Sequence, residues 1–467
     1  MDFRETTVAE LAARVRAKEV AARELTQAAL ERIEALNPQV NAFVAVDGEA
    51  ALRDAAAVDE LVAAGEDPGP LAGIPIGVKD LEDAAGFVTS MGSATRAGDR
   101  PASADSILVS RLRAAGCVVV GKTNTPEYGW KGDTENPTFG ATRNPWELGH
   151  SAGGSSGGTA AALAAGMVPL ATGSDGGGSI RIPAAVCGLS GFKPSLGRVA
   201  VGGPHPPNWA DLSVKGPMTL KVRDAALALG PAVGPHPTDL RSLPMPSADW
   251  LDGVADPRPP RKVAWSPTMG FSPVDGEVRS LCEAALAKLE ALGTEVIEVD
   301  SVWPEDPVID WFGLTAVATY RTLRDYEGTP EWEGIDPGLR EQMGFGKDHV
   351  AAPDVLRAMD TAHRLNVALV ELFHDVDFLL TPTCAGQTPP PGEFGTINGH
   401  AEVNWVRFTY GFNLTRSPAG SVCAGLTAKG LPVGLQVVGP QHADAGVLRI
   451  MALLEDAIAF DQVAPIA

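Results

Sequence analysis

Cysteine, positive charge and long uninterrupted hydrophobic stretches are all scarce in this sequence. Its five cysteines are scattered, without the CxxC spacing of a zinc or redox motif: Cys117, Cys187, Cys282, Cys384 and Cys423. We therefore expect neither a disulfide framework nor a bound metal. A reducing cytoplasm fits this cysteine usage best.

Basic residues are outnumbered, with 37 Lys and Arg against 58 Asp and Glu, which gives a net charge of −21. The electrostatic field of this negative charge repels phosphate backbones and anionic lipids, so neither nucleic acid nor a membrane is expected as a partner. The longest uncharged run, roughly residues 150 to 174, is broken by Gly, Ser and Pro and does not predict a membrane span. With 467 residues and 45% hydrophobic content, the chain can bury a large core.

Helical periodicity alternates with short β-branched runs along the chain. One apolar stripe, Leu25 to Leu36, predicts a helix that ends before Asn37-Pro38, because the proline ring disfavours helix at the preceding residue. Predicted strands include 74–78, 262–265, 378–381 and 433–438. The alternation predicts a layered α/β/α fold with one large, mostly parallel mixed sheet flanked by helices.

We expect one domain over residues 1–467, because no low-complexity spacer interrupts the pattern. Its parts are N-terminal helices (1–65), a central core (70–200) and a remainder that completes the sheet and supplies pocket segments (200–467).

Two loops rich in glycine and serine raise the question of chemistry: "GGSSGGT" (153–159) and "SDGGGSIR" (174–181). The first has the outer glycines of a phosphate-binding P-loop, but Thr159 stands where the lysine belongs. It also matches the G-x-S-x-G nucleophile elbow, yet "NPWELGHSA" rather than a strand precedes it. Neither interpretation fits well.

A third interpretation joins the loops to Lys79. Successive glycines before Ser179 can direct several backbone N–H groups at one point, as an oxyanion hole requires. Lys79 ends the apolar stretch "LAGIPIGVK", so burial can favour its neutral amine, which then serves as a base. Ser155 could pass the proton from Ser179 to Lys79.

Several separated motifs, in order, resemble the amidase signature family. They are "GIPIGVKD" (73–80), "GKTNTPEYGW" (121–130), "FGATRNPW" (139–146), the segment 153–198 that contains both loops, "GPMTLKVRDAALAL" (216–229) and "FNLTRSPAGSVCAGLTAKGLPVGLQVVGP" (412–440). Together they span most of the chain.

The resemblance implies a Ser-cisSer-Lys triad, with Ser179 as nucleophile, Ser155 as bridging serine in a cis peptide and Lys79 as base. The predicted oxyanion hole consists of the amides of Gly176, Gly177, Gly178 and Ser179. Asp175 and Arg181 are expected to support the 174–181 loop that carries the predicted nucleophile (the nucleophile loop) through an ion pair or backbone contacts.

Two departures from the family pattern stand out. Gly176 occupies a place where the family usually has threonine or another β-branched residue, which predicts a looser loop and more room at the oxyanion hole. "SIRIPA" (179–184) differs from the "SIRQPA" associated with the glutamyl-tRNA amidotransferase subunit. The resemblance is therefore closer to bacterial amidases, aryl acylamidases or urethanases.

Aromatic side chains outside these motifs are candidates for a substrate pocket, although core packing is the commoner role of such clusters. The candidates are Tyr128, Trp130, Trp209, Trp311 and Trp405. They favour a hydrophobic or aryl group on the substrate.

The expected function is hydrolysis of the C–N bond of amides through an acyl-enzyme, extending to aryl carbamates (urethanes) and esters, with no cofactor and no metal. The expected partner is a small-molecule amide or carbamate. Because the family includes dimers, a homodimer is compatible with the resemblance. Two alternatives stay open: one component of a tRNA-dependent transamidase, and a Ser-His-Asp esterase of the α/β-hydrolase type.

Overall fold

The structure is a computed structural model that describes residues 1–204, 206–207, 209, 211–247 and 250–466. The candidate pocket residue Trp209 is described, whereas positions 205, 208 and 210 near it lie outside the described residues.

Helices flank the sheet on both sides and account for much of the chain. Their bounds are α1 Val8–Arg16, α2 Ala22–Val40, α3 Gly48–Ala64, α4 Ile107–Ala114, α5 Gly157–Ala164, α6 Arg181–Cys187, α7 Val222–Ala232, α8 Trp250–Ala255, α9 Gly276–Ala291, α10 Val308–Leu323, α11 Pro337–Asp348, α12 Ala352–Asp375, α13 Gly411–Leu414 and α14 Asp444–Ile458.

The strands are short, and several are buried along their whole length, as expected for a sheet covered on both faces. Their bounds are β1 Phe43–Val46, β2 Pro75–Lys79, β3 Val118–Thr123, β4 Arg143–Asn144, β5 Glu147–Ser151, β6 Leu170–Asp175, β7 Ser190–Lys193, β8 Val214–Thr219, β9 Lys262–Trp265, β10 Glu295–Glu298, β11 Phe378–Pro382, β12 Gly395–Ile397, β13 His400–Glu402, β14 Ala419–Leu426 and β15 Pro432–Val438.

Eleven strands form one mixed sheet in the order β1-β3-β2-β6-β8-β7-β14-β15-β11-β9-β10, and two small hairpins, β4-β5 and β12-β13, lie outside it. The layered α/β fold predicted from the sequence is confirmed. Parallel pairing is limited to two blocks, β3-β2-β6 and β11-β9-β10, while the other pairs of the described sheet are antiparallel. The expected predominance of parallel strands is therefore not observed.

The predicted end of the second helix is wrong. α2 continues through Pro38 to Val40, with the proline in its last turn, and Asn41 ends it in a left-handed conformation. The Asn37 side chain accepts the N–H groups of Ala42 and Phe43, each at 2.8 Å. These bonds stabilise the last turn and offset the hydrogen bond that the proline cannot make.

Candidate active site

Two neighbouring parallel strands bring the predicted base and the predicted nucleophile loop to one edge of the sheet. β2 ends at Lys79 and β6 ends at Asp175, and the two strands pair at Ile76 with Leu170. The carboxyl ends of parallel strands open at the same edge, which is the usual place for a site in an α/β sheet. The backbone N–H of Lys79 donates to Thr172 Oγ1 at 3.0 Å, which further fixes the strand end.

The Lys79 amine is enclosed and contacts three hydroxyl groups. Its Nζ lies 2.8 Å from Ser155 Oγ, 2.9 Å from Ser156 Oγ and 3.0 Å from Ser174 Oγ. The residue is 1% exposed. Burial lowers the pKa of Lys79 to about 7, although the carboxylates of Asp175 and Glu82 oppose this shift. Burial therefore favours the uncharged amine at this position.

Ser155 precedes α5, in a segment where the backbone is tightly enclosed. The peptide bond between Gly154 and Ser155 is cis. A Cβ at Gly157 would lie 2.3 Å from Thr134 Oγ1, and one at Gly158 would lie 2.3 Å from the backbone nitrogen of Asn124. Only glycine fits at these two positions, which explains their presence in the motif.

The two glycine-serine loops lie side by side. The backbone N–H of Ser156 donates to the carbonyl oxygen of Ser179 at 3.2 Å. Ser179 is 8% exposed and Ser155 is 2% exposed. The structure thus gathers Lys79, Ser155 and Ser179 from three separate parts of the sequence into one small, mostly dehydrated space.

The carbonyl groups of the nucleophile loop are held by side chains from distant elements. Trp311 Nε1 donates to the carbonyl of Gly176 at 2.9 Å, and Thr409 Oγ1 donates to that of Gly177 at 2.6 Å. Because the N–H and C=O groups of a trans peptide point in opposite directions, an anchored carbonyl turns the following N–H the other way. The Gly177 N–H therefore points away from Trp311.

The prediction for Gly178 needs correction. Its N–H donates to Asp175 Oδ1 at 2.8 Å, so this group holds the loop and is not available to an oxyanion. Gly178 has φ +129°, a conformation that favours glycine. Among the described residues, the N–H groups of Gly176, Gly177 and Ser179 have no hydrogen-bond partner. These three amides remain the oxyanion-hole candidates.

Asp175 and Arg181 form a fully buried ion pair beneath the loop. Arg181 Nη2 lies 2.8 Å from Asp175 Oδ1, and both side chains are 0% exposed. The remaining guanidinium donors reach the carbonyl of Thr409 at 2.9 Å, Gln436 Oε1 at 2.8 Å and Asn413 Oδ1 at 2.7 Å. Burial alone raises the pKa of Asp175, but the Arg181 guanidinium holds it well below the usual range. The carboxylate thus stays charged and accepts the Gly178 N–H.

Two of the predicted pocket tryptophans contact the nucleophile loop. A Cβ at Gly177 would lie 2.3 Å from the Trp311 ring, and one at Gly176 would lie 2.5 Å from Trp209 Cε3. The room expected from glycine at position 176 is therefore filled by Trp209. Trp311 is half-buried and stacks on Tyr410, with ring centroids 5.1 Å apart.

The other three pocket candidates lie elsewhere. Trp405 is 4% exposed within the main apolar core, where its ring lies against Gly395, so the structure assigns it to packing rather than to a pocket. Tyr128 and Trp130 belong to a small apolar cluster with residues of α11, and the Tyr128 hydroxyl lies 3.0 Å from Thr95 Oγ1. Their segment still borders the site, since a Cβ at Gly129 would lie 3.2 Å from Ser155 Oγ.

Sequence reasoning misses Ser156, Ser174 and Thr409. The first two lie inside the quoted loops, and their position next to Ser155 and Asp175 is an available signal. Thr409 comes 232 residues after Gly177, and no local pattern marks it.

The described residues contain no group of three or more His, Cys, Asp or Glu side chains arranged to hold a metal ion. In the same ranges, no helix combines the length and apolarity needed to cross a membrane.

The family model for Amidase matches residues 24–448, which is most of the chain. The chain belongs to the amidase family. Its fold and its similarity to an acylamidase and to an aryl acylamidase make it a hydrolase of the amidase signature type.

Relatives within the amidase family include an acylamidase of Rhodococcus erythropolis, 38% identical over 458 residues, which cover 96% of this chain and 94% of that protein. A glutamyl-tRNA(Gln) amidotransferase subunit from Thiobacillus denitrificans is 33% identical, covering 95% of each chain. Among solved structures, a bacterial aryl acylamidase of the amidase signature family superposes with a TM-score of 0.90 at 31% identity, covering 97% of this chain and 96% of that one.

Proposed function

We propose that this amidase hydrolyses hydrophobic or aryl amides through an acyl-enzyme on Ser179, with Ser155 and Lys79 as a proton relay. The observation that carries the proposal is the 2.8 Å contact between Lys79 Nζ and Ser155 Oγ, made by a buried amine whose pKa is lowered to about 7. A neutral amine accepts a proton, whereas an ammonium cannot.

In the first half-reaction, Ser179 Oγ attacks the substrate carbonyl while its proton moves through Ser155 Oγ to Lys79 Nζ. The C=O π electrons move onto oxygen, and the amides of Gly176, Gly177 and Ser179 stabilise that charge. The tetrahedral intermediate then collapses, the C–N bond breaks, and the leaving nitrogen takes the proton back along the relay.

In the second half-reaction, water takes the place of the serine hydroxyl. It gives a proton to the relay, attacks the acyl carbon and releases the carboxylic acid, and Ser179 regains its proton. The relay is regenerated in each half, so the cycle needs no external acid or base.

The proposed substrate class follows from the residues around the loop. Trp209 and Trp311 lie directly against it, and Trp311 stacks on Tyr410. Aromatic walls of this kind favour a bulky apolar or aryl group next to the scissile bond. Aryl carbamates and esters pass through similar tetrahedral intermediates and are proposed as secondary substrates.

Chemical labelling separates the roles of the two serines. Phenylmethylsulfonyl fluoride should add one sulfonyl group to the parent protein, at Ser179 by peptide mass spectrometry, and none to Ser179→Ala. Ser155→Ala should keep the site but label slowly. Labelling that persists in Ser179→Ala and disappears in Ser155→Ala would reverse the two assignments.

A hydrolysis screen then tests the substrate class. Purified protein is offered p-nitroanilides, fatty amides, peptide amides and aryl carbamates, and the anilides of bulky acids should be cleaved fastest. Activity confined to glutamine, and dependent on ATP and charged tRNA, would favour the transamidase alternative instead. Among the described hydrogen bonds of Lys79, Ser155 and Ser179 none involves a histidine, which disfavours a Ser-His-Asp esterase.

A further inference from the structure

Each oxyanion-hole candidate in the nucleophile loop belongs to a peptide group whose carbonyl is anchored from behind. The amides are those of Gly176, Gly177 and Ser179. The anchors are, in the same order, Asn413 Nδ2 at 2.9 Å from the Asp175 carbonyl, Trp311 Nε1 at 2.9 Å from the Gly176 carbonyl, and the Ile182 N–H at 2.7 Å from the Gly178 carbonyl. Because the C=O and N–H of a trans peptide point in opposite directions, each anchor sets the direction of one amide.

The three anchors differ in what else they hold. The Ile182 N–H is main chain in the first turn of α6, so no change of its side chain removes it. Asn413 also accepts from Arg181 at 2.7 Å, which makes it part of the buried ion-pair network. The Trp311 N–H has this one carbonyl as its partner among the described hydrogen bonds. Its bond can therefore be removed without disturbing that network.

The indole of Trp311 is held in its orientation by its neighbours. The ring stacks on Tyr410, with centroids 5.1 Å apart and an angle of 21° between the planes. The Tyr410 hydroxyl donates to Asp306 Oδ1 at 2.5 Å, and the same oxygen accepts the Val308 N–H at 3.0 Å, at the start of α10. The helix that carries the indole and the ring that stacks on it are thus joined, so the N–H is directed at the loop in advance of any reaction.

The peptide between Gly176 and Gly177 depends on this bond. It lies between two glycines, which restrict its rotation less than other residues would. With its carbonyl unbonded, the C=O and the N–H would turn together, and the Gly177 N–H would lose its fixed direction. Oxyanion donors contribute most when they need no reorientation as charge develops on the substrate oxygen.

We propose that Trp311 is a positioning residue of the amidase reaction, whose indole N–H directs the Gly177 amide toward the oxyanion. The inference rests on the proposed acyl-enzyme at Ser179 and gives Trp311 a role in the chemical step, beyond that of an aromatic wall. Trp311 acts through the peptide between Gly176 and Gly177 and not on the reacting atoms. Its loss should therefore weaken stabilisation of the tetrahedral intermediate.

Trp209 provides a matched comparison at the same loop. Its Cε3 would lie 2.5 Å from a Cβ at Gly176, and its ring meets that of Trp311 edge to face with centroids 6.0 Å apart. Its Nε1 is buried and has no hydrogen-bond partner within the described part of the chain. Trp209→Phe therefore removes ring volume beside the loop without removing a hydrogen bond, whereas Trp311→Phe removes both.

An aryl trifluoromethyl ketone tests the direction of the amides. Ser179 Oγ bonds to its carbonyl carbon, the C=O π electrons move onto oxygen, and the serine proton passes through Ser155 to Lys79. Fluorine NMR then follows ionisation of the hemiketal oxygen against pH. In Trp311→Phe the midpoint should be higher than in the parent by about one pH unit or more, since one unit is a tenfold loss of oxyanion stabilisation. In Trp209→Phe it should stay within about 0.3 unit, a twofold change.

Steady-state kinetics give a second measurement. Trp311→Phe should lower kcat for a p-nitroanilide about 10- to 100-fold, less than the loss on deleting an oxyanion donor, because the Gly177 N–H is still present. The pH midpoint of kcat/KM should not move, since the contacts of Lys79 are intact. Should Trp311→Phe fail to fold, benzothienylalanine at position 311 keeps the bicyclic ring and replaces only the N–H by sulfur.

The outcomes separate the inference from the proposed function. If the parent forms the ketone adduct, the function stands. An adduct midpoint in Trp311→Phe equal to that of the parent, or one that rises as far in Trp209→Phe, would then overturn the inference alone. If the parent forms no adduct and phenylmethylsulfonyl fluoride does not label Ser179, the proposed function is wrong and the inference is wrong with it.

Discussion

Lys79 and Lys122 are buried lysines on neighbouring parallel strands, and their surroundings differ in one respect that decides their chemistry. Lys79 pairs with Thr123 in the register of β2 and β3, so it points to the opposite face from Lys122. Lys122 Nζ lies 3.3 Å from a carboxylate oxygen of Asp80. Lys79 Nζ is surrounded by three hydroxyl groups instead.

The comparison bears on the proposed role of Lys79 as a base, because both lysines are buried. Burial lowers the pKa of both lysines, but for Lys122 the adjacent Asp80 carboxylate opposes that shift by direct contact. Lys122 pairs with the Asp80 carboxylate and donates to the backbone carbonyl of Glu82 at 2.6 Å, so its contacts stabilise the fold. A lone amine among hydroxyls can exchange protons with them.

Removing the amine of Lys79, which is surrounded by hydroxyl groups, should have the largest effect on activity. Lys79→Met should lower kcat/KM about 10³- to 10⁴-fold, because the general base is lost while the apolar stem is kept. Steady-state hydrolysis of a p-nitroanilide measures this. Lys122→Met is the matched control and should lose less than tenfold when measured well below its melting temperature; equal losses in the two variants would end the comparison.

The loss of stability should be larger for Lys122→Met than for Lys79→Met, the reverse of the order for activity. Lys122→Met leaves the buried carboxylate of Asp80 without its cation and should lower the free energy of unfolding by about 3–5 kcal/mol. Chemical denaturation followed by fluorescence gives the value. Adding Asp80→Asn should restore part of the loss, since the unpaired charge is then removed; a double variant as unstable as the single one would contradict the ion-pair explanation.

How far the sequence predicts these features depends on the distance along the chain. Lys79, Ser155 and Ser179 follow from local motifs. Lys79 and the loop that carries Ser179 lie at one sheet edge because β2 and β6 are parallel neighbours, and Ser156 links the other loop to Ser179. The contact of Trp209 with Gly176 and the bond from Thr409 to Gly177 join residues far apart in sequence. No periodicity records such contacts, so the filled space at Gly176 could not be foreseen. The bond from the Gly178 amide to Asp175 joins residues only three apart, and it is a local Asp-to-backbone pattern that the sequence prediction missed.

Pro38 shows a second kind of limit. The local rule places the helix end before it, yet hydrogen bonds from Ala42 and Phe43 to Asn37 stabilise one more turn. Capping contacts of the Asn37 side chain thus override the preference imposed by the proline at the end of α2. The candidate pocket tryptophans show the same limit. Trp311 and Trp405 have similar sequence surroundings, but in the folded protein Trp311 contacts the nucleophile loop and Trp405 packs in the core.

The pH dependence of kcat/KM should follow the protonation of Lys79. The neutral amine is the active form, so activity should fall tenfold per pH unit below a midpoint of about 7 and reach a plateau above it. Lys193 is the control, because burial also lowers its pKa to about 7 while its Nζ contacts the Pro194 carbonyl at 3.2 Å. Lys193→Met should keep the midpoint. A profile that becomes flat in that variant would show that Lys193, and not Lys79, controls the pH dependence.

The smallest expected effects come from single hydroxyls beside each amine, and they test whether the two surroundings differ in function as well as in charge. Ser174→Ala removes the 3.0 Å contact to Lys79, and Thr89→Val removes the 3.1 Å contact to Lys122. Ser174→Ala should lower kcat/KM about three- to tenfold, because Lys79 keeps Ser155 and Ser156 but loses part of its orientation. Thr89→Val should leave kcat/KM unchanged and lower stability by about 1 kcal/mol, the usual net value of one hydrogen bond. If Thr89→Val slowed hydrolysis as much as Ser174→Ala, the hydroxyls around Lys79 would have no catalytic role distinct from packing.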